Sequence, residues 1–315
     1  MDVVASVMTP GYLALRQHAA WLDLSGRGKI RVTGEDRARL LHAMTTNNVQ
    51  ALKPGEGCYA FFLNAQGRIL GDANVLCFED HFLLDTEPET SRKLFEHLDR
   101  YIIADDVTLE DETGRVATIA VEGPEAADAL AKLGATLPDA PYSTTAWDTA
   151  TIARISSTGP DGFFVFLPVG ERAGLTARLT EAGIGAATPE DARVVRIEHA
   201  RPRYGEEITE RYLVQETGQL HAISFSKGCY LGQEIVERVR SRAQIHRVLR
   251  PLEIETTQIP EAGTKLTSGT DVASEIASAV FSPVLGKVAA LAYVRVPFAE
   301  PGTELTLNGV LARVS

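Results

Sequence analysis

The spacing of apolar and polar positions divides the chain into two regimes. Up to about residue 247, short alternating runs are separated by stretches in which apolar residues recur every three or four positions. The first pattern predicts strands and the second helices. Helices are predicted over 11–21, from Gly34-Glu35-Asp36 to about Asn47-Asn48, over 88–102, from Gly123-Pro124-Glu125 to 133, over 171–182 and over 189–200. Strands are predicted over 28–33, 82–85, 107–110, 115–121 and 163–167, with a hairpin of 58–63 and 69–78 around Asn64-Ala65-Gln66-Gly67. From Val248 onward no helical spacing of any length is evident. Runs at 252–256, 284–296, 304–307 and 310–314 alternate with turns such as Glu261-Ala262-Gly263 and Glu300-Pro301-Gly302. That pattern predicts a separate small barrel of about 70 residues.

The first regime contains an internal echo. The stretch Ile30-Arg31-Val32-Thr33-Gly34-Glu35-Asp36 and its helix resemble Ile119-Ala120-Val121-Glu122-Gly123-Pro124-Glu125 and its helix, and 163–182 reads as a third copy. Recurrent strand–turn–helix units joined by hairpins point to an α+β fold with ferredoxin-like halves rather than one parallel sheet. The expected division is 1–240 for the α+β region and 241–315 for the barrel.

Composition narrows the classes. A chain of 315 residues with 44% hydrophobic content is long enough for two or three cores. No apolar run approaches the roughly 18 residues of a membrane span, and the start, Met1-Asp2-Val3-Val4, has no basic segment of a signal peptide. Cys58, Cys77 and Cys229 show neither a disulfide framework nor a metal-ligand spacing, and the seven histidines are scattered, so no metal site is expected. A cytoplasmic setting is expected. The formal net charge of −11 argues against direct tRNA or duplex binding over a broad face. Two basic segments stand out against it: Arg193, Arg196, His199, Arg201 and Arg203, then Arg238, Arg240, Arg242, His246, Arg247 and Arg250. Each reads either as a salt-bridged solvated face or as part of a site for an anionic ligand.

The densest chemistry lies in Lys227-Gly228-Cys229-Tyr230-Leu231-Gly232-Gln233-Glu234. Two glycines free the backbone, a lysine two residues before a cysteine favours a thiolate, and Gln233-Glu234 opens a segment of helical spacing. Read alone, Cys229 is as readily a small buried core residue. Asp72 is a second unusual position, because a carboxylate in mid-strand is disfavoured unless it is exposed or faces a ligand.

The Lys-Gly-Cys-Tyr-x-Gly-Gln-Glu stretch resembles the signature of the YgfZ-type folate-binding proteins, relatives of the glycine-cleavage T-protein, an aminomethyltransferase. The resemblance implies two intertwined α+β domains and a C-terminal barrel around a central channel that holds tetrahydrofolate or a one-carbon derivative. It implies iron–sulfur proteins, including radical tRNA-modifying enzymes, as partners, and an accessory folate-binding role in preference to turnover. Cys229 would then carry the chemistry with Lys227 lowering its pKa, while Gly228, Tyr230, Gly232, Gln233 and Glu234 shape and fix the turn. The segment Arg196-Ile197-Glu198-His199-Ala200-Arg201-Pro202-Arg203-Tyr204-Gly205 is similar to the T-protein segment whose glutamate receives the pterin N–H groups, which implies Glu198 as the pterin ligand, with Arg203 beside it. Asn47 resembles one of a polar pair at a helix end in that family, and a helix C-cap explains it equally well. The T-protein has two adjacent acids where this chain has Gly71-Asp72. The missing acid weighs against the alternative reading, a folate-dependent aminomethyltransferase.

Overall fold

The chain enters one sheet, leaves it to build a second, and then returns to finish the first. The computed structural model describes residues 8–159, 161–242 and 245–315. Its elements run α1 (Pro10–Gln17), β1 (Ala20–Asp23), β2 (Gly28–Thr33), α2 (Arg37–Met44), β3 (Gly57–Leu63), β4 (Ile69–Cys77), β5 (Phe82–Thr86), α3 (Ser91–Asp99) and β6 (Thr108–Asp111). They continue with β7 (Val116–Glu122), α4 (Ala126–Lys132), β8 (Thr144–Trp147), β9 (Ala150–Ala153), β10 (Gly162–Pro168), α5 (Arg172–Glu181), β11 (Gly185–Ala186), α6 (Pro189–Glu198) and α7 (Gln233–Arg242). The last six strands are β12 (Arg247–Ile254), β13 (Lys265–Ser268), β14 (Asp271–Ser282), β15 (Lys287–Arg295), β16 (Glu304–Leu307) and β17 (Val310–Val314).

Strands β2 to β6 form a five-stranded sheet in the order β3-β4-β5-β2-β6. The other sheet, β11-β1-β7-β10-β9-β8, takes one strand from before that insertion and the rest from after it. This is the physical content of the expected intertwined α+β arrangement. The outer faces are covered by helices. Leu40, Leu41 and Leu94 of α2 and α3 close the core of the five-stranded sheet, and Leu130, Leu175 and Leu179 of α4 and α5 close that of the other. The inner faces meet each other, where Leu76 and Leu83 pack with Ala120, Phe164 and Phe166. Strands β12 to β17 form the expected closed barrel. Barrel and sheets are joined at a stack of Tyr212 on Tyr293, with ring centroids 3.6 Å apart, and the Arg247 guanidinium lies over both rings at 4.8 and 5.6 Å.

The structure departs from the pattern in several places, and β13 and β14 of the barrel lie outside the predicted runs. The helix predicted over 11–21 stops at Gln17, because Ala20–Asp23 extends to pair with β7. The helix predicted over 88–102 is confined to Ser91–Asp99. The hairpin of β8 and β9 was not anticipated; its turn uses Asp148 at φ 53, with no glycine to mark it. Among the described residues no helix is long and apolar enough to cross a membrane.

The echoed corners are held by glycines in the left-handed region, Gly34 at φ 101 and Gly123 at φ 115. A Cβ on Gly34 would lie 2.0 Å from the carbonyl oxygen of Asp106, and one on Gly123 2.5 Å from that of His18. Gly34→Ala is therefore expected to lower stability by about 2–4 kcal/mol in urea denaturation. Gly114→Ala, where a Cβ meets nothing within 4 Å, is the control and should change it by under about 0.5 kcal/mol.

Candidate functional site

Where the two sheets part at one end, α6 and the segment 201–206 close over a cavity of about 570 Å³. That volume suits a ligand of drug size. One wall comes from β3 and β4 through Tyr59, Asp72 and Asn74, another from Ile155 to Thr158 and Phe164, and a third from Arg193, Arg196, Arg201, Arg203 and Tyr204.

Asp72 is the chemical centre of this cavity. The residue is 5% exposed, and its carboxylate accepts a hydrogen bond of 2.5 Å from the Tyr59 hydroxyl. Burial pushes its carboxyl up, the nearby Glu87 carboxylate pushes it further, and the Tyr59 bond, Arg27 and Arg203 offset part of this, leaving the pKa raised to about 7. Tyr59 is itself held well above its ordinary value, first by burial and then by the charge of Asp72, so the phenol keeps its proton and remains the donor. Such a carboxyl can change protonation state near neutral pH.

A chain of paired charges, running from buried Asp85 to exposed Glu89, lies beside it. Arg27 donates Nε to both oxygens of Asp85 at 3.0 Å and also pairs with Glu87. Glu87 accepts from Arg203 Nε at 2.9 Å, and Arg203 reaches Glu89 at 2.6 Å. Burial alone would raise Glu87, but Arg27 and Arg203 hold it below the usual range. A charge therefore persists beside Asp72. Asn74 donates to Asp85 at 2.8 Å, which ties the cavity wall to the same chain.

The expected site residues separate into two groups. Asp72 and Arg203 line the cavity; Glu198, Asn47, Lys227 and Cys229 do not. Glu198 points the other way, accepting from Tyr12 at 2.8 Å and Ser282 at 2.5 Å with Arg16 at 3.5 Å, so it ties α1, α6 and the barrel together. Asn47 donates Nδ2 to the carbonyls of Tyr59 and His221. The Lys227 ammonium is directed at the carbonyls of His42, Thr45 and Asn47 and not at the thiol it was expected to activate. Burial lowers its pKa to about 8. Cys229 is exposed, outside the cavity. Gly232 does shape the turn, at φ 84, where an added Cβ would lie 2.7 Å from the Asn64 carbonyl oxygen. Gln233 accepts from the Tyr230 N–H at 3.3 Å, whereas Gly228 and Glu234 are exposed and Tyr230 is buried. Of the basic segments, the first supplies Arg193, Arg196, Arg201 and Arg203 to the cavity, while His199 bonds the Thr158 carbonyl outside it. In the second, Arg247 pairs with Glu216 and Arg240 covers Phe225; the Arg242 side chain lies outside the described residues.

Tyr59, Arg27 and Glu87 complete the lining without any local signal in the sequence. A Cβ on Gly71 would meet Leu94 at 3.1 Å, so position 71 faces α3 while Asp72 faces the cavity.

Comparison with known proteins follows the same outline. The GCVT N-terminal domain profile matches residues 4–227 and the glycine cleavage T-protein C-terminal barrel domain profile matches residues 247–311. An aminomethyltransferase of Streptomyces coelicolor is 32% identical over 309 residues, covering 93% of this chain and 82% of that protein. One of Rubrobacter xylanophilus is 31% identical over 302 residues, covering 94% and 81%. A chloroplastic putative transferase of Arabidopsis thaliana is 30% identical over 246 residues, covering 76% and 57%. The crystal structure of glycine cleavage system aminomethyltransferase T from Bartonella henselae superposes with a TM-score of 0.87 at 23% identity, covering 96% of this chain and 87% of that one, a likeness of fold.

The raised pKa of Asp72 has a measurable consequence for stability. Its folded value, about 7, exceeds an unfolded value near 3.9, so the stability it confers is full below about pH 4 and lost as pH rises through about 7. Asp72→Asn keeps an acceptor for Tyr59 and removes the charge. The variant should match wild type near pH 4 and exceed it by on the order of 4 kcal/mol at pH 8 in urea denaturation.

Proposed function

Since the chain belongs to the glycine cleavage T-protein family, we propose that it binds tetrahydrofolate in the 570 Å³ cavity and catalyses folate-dependent aminomethyl transfer with Asp72 as its acid–base group. Tetrahydrofolate is the cofactor of the aminomethyltransferases to which the chain is related. The observation that carries the reading is the buried carboxyl of Asp72, poised near neutrality on the wall of a cavity of fitting size.

The lining fits the parts of a folate. Phe164, Tyr204, Tyr142 and Ile155 offer apolar surface for flat rings. Arg201 bonds the Gly159 carbonyl at 2.8 Å, and Arg154 bonds that of Asp139 at 3.0 Å with Asp161 no nearer than 4.0 Å. These two guanidiniums would hold the glutamate carboxylates. Bound tetrahydrofolate would supply the nitrogen that accepts the one-carbon unit. Asp72 would hold or release a proton at that nitrogen, Tyr59 fixes the orientation of its carboxyl, and the Arg27–Glu87–Arg203 chain keeps its pKa near the working pH.

A second reading concerns the YgfZ-like motif, and one observation favours it: Cys229 is exposed, whereas Cys77 is buried and Cys58 half-buried. An exposed thiol on a glycine-shaped turn suits brief contact with an iron–sulfur protein, such as a radical tRNA-modifying enzyme. One thiol does not hold a cluster, which takes about four ligands. In cells lacking the protein, Cys229→Ala should then fail to restore iron–sulfur enzyme activity; full restoration removes this reading.

The folate reading is tested by calorimetry under reducing conditions, together with aminomethyl transfer from a lipoyl carrier protein. Wild type should bind tetrahydrofolate saturably, and Arg201→Ala should weaken binding by about tenfold. Asp72→Asn should lower kcat by about 10²-fold or more with a smaller change in affinity. Absence of binding by wild type overturns it.

A further inference from the structure

We infer that Lys227 and Asn47 act together as positioning residues for the Tyr59–Asp72 pair, so that the motif's lysine serves the cavity from outside it. The inference rests on the folate reading only for its ligand readout.

The geometry runs from the motif to the acid without a gap. Lys227 is buried, and its Nζ donates to the carbonyls of His42, Thr45 at 2.6 Å and Asn47 at 2.8 Å. These lie in the last turn of α2 and just beyond, where carbonyls lack intrahelical partners and a cation is favoured. The carbonyl end of Asn47 is thus fixed by Lys227. Its side chain then works on the cavity wall: Nδ2 donates to the Tyr59 carbonyl at 2.9 Å and the His221 carbonyl at 3.1 Å, while Oδ1 accepts from the Asn48 N–H at 2.9 Å. Thr46 makes a parallel knot, donating to the Ala222 carbonyl at 2.6 Å and accepting from the Phe61 N–H at 2.9 Å. Both backbones that flank the Tyr59 ring are set in this way. The ring stacks on His221 at 5.5 Å and meets Phe61 edge-on at 5.3 Å, and its hydroxyl donates to Asp72 at 2.5 Å.

The charges around each end are accounted for. Lys227 faces His42, Cys58 and the Tyr230 ring at 4.8 Å, and no carboxylate bonds it among the described residues. Asp72 faces Tyr59, Glu87, Arg27 and Arg203. A lysine without an acidic partner, with its ammonium given to three carbonyls, has the arrangement of a backbone clamp and not of a thiol activator.

The test is a carbon-13 NMR titration of the Asp72 carboxyl, assigned with Asp72→Asn, in wild type, Asn47→Ser and Lys227→Met. The Tyr59 bond holds the Asp72 pKa down, so loosening it should raise the midpoint by about half a pH unit or more in both variants. Tetrahydrofolate affinity should fall about fivefold or more in each. Where Lys227→Met does not fold, Asn47→Ser decides, because it leaves the three lysine bonds in place. A variant with a lowered melting temperature but the wild-type midpoint has only a structural role, and that result overturns the inference. If wild type binds no tetrahydrofolate, the folate reading fails while the titration still decides this one.

Discussion

A carboxylic acid kept out of water beside a persistent negative charge is the constraint around which this molecule is arranged. Burying Asp72 next to Glu87 is unfavourable for the charged form, and an unpaired Glu87 would be worse. The fold answers with Arg27 from the loop after β1 and Arg203 from the segment after α6, which pair with different oxygens of Glu87. Those two arginines belong to parts of the chain more than a hundred residues apart. The ion pairs that temper the effect of burial on the acid therefore also tie distant parts of the chain together around it.

The same economy appears on the other side of Asp72. The Tyr59 hydroxyl that orients the acid is carried by β3, and β3 is knitted to the end of α2 through Thr46 and Asn47. The segment bearing Lys227 and Gly232 lies across that junction. Gly67 and Gly232 allow the close approach: a Cβ on Gly67 would meet Ile235 at 2.7 Å, and one on Gly232 would meet the Asn64 carbonyl at 2.7 Å. The density of special residues in this motif follows from packing a buried ammonium and a left-handed turn against the β3–β4 hairpin, while Cys229 is left at the surface.

Much of the fold was legible because its signals are local. Periodicity marked β2 to β7 and the helices that follow β2 and β7, and Gly/Pro turns marked the barrel. The β8–β9 hairpin escaped because its turn places Asp148, not glycine, in the left-handed region. In the site, Asp72 was visible as a charge in mid-strand and Arg203 as part of a basic run. Tyr59, Arg27 and Glu87 were silent, since an ordinary residue becomes a neighbour of Asp72 only through strand pairing and long-range closure. Glu198 was misplaced for a reason helical geometry supplies. Arg196 faces the cavity, and two residues further along a helix a side chain points to nearly the opposite side, here toward Tyr12 and Ser282.

On the proposed reading, the cavity between the sheets holds the folate with its one-carbon nitrogen at Asp72. The most direct measurement is a crystal structure of the protein soaked with tetrahydrofolate under reducing conditions. Density should fill the cavity, with a ring nitrogen or its linking amine within hydrogen-bonding distance of the Asp72 carboxyl and the glutamate tail toward Arg201. Density confined to another surface, or a bound folate whose nitrogens lie beyond reach of Asp72, would contradict it.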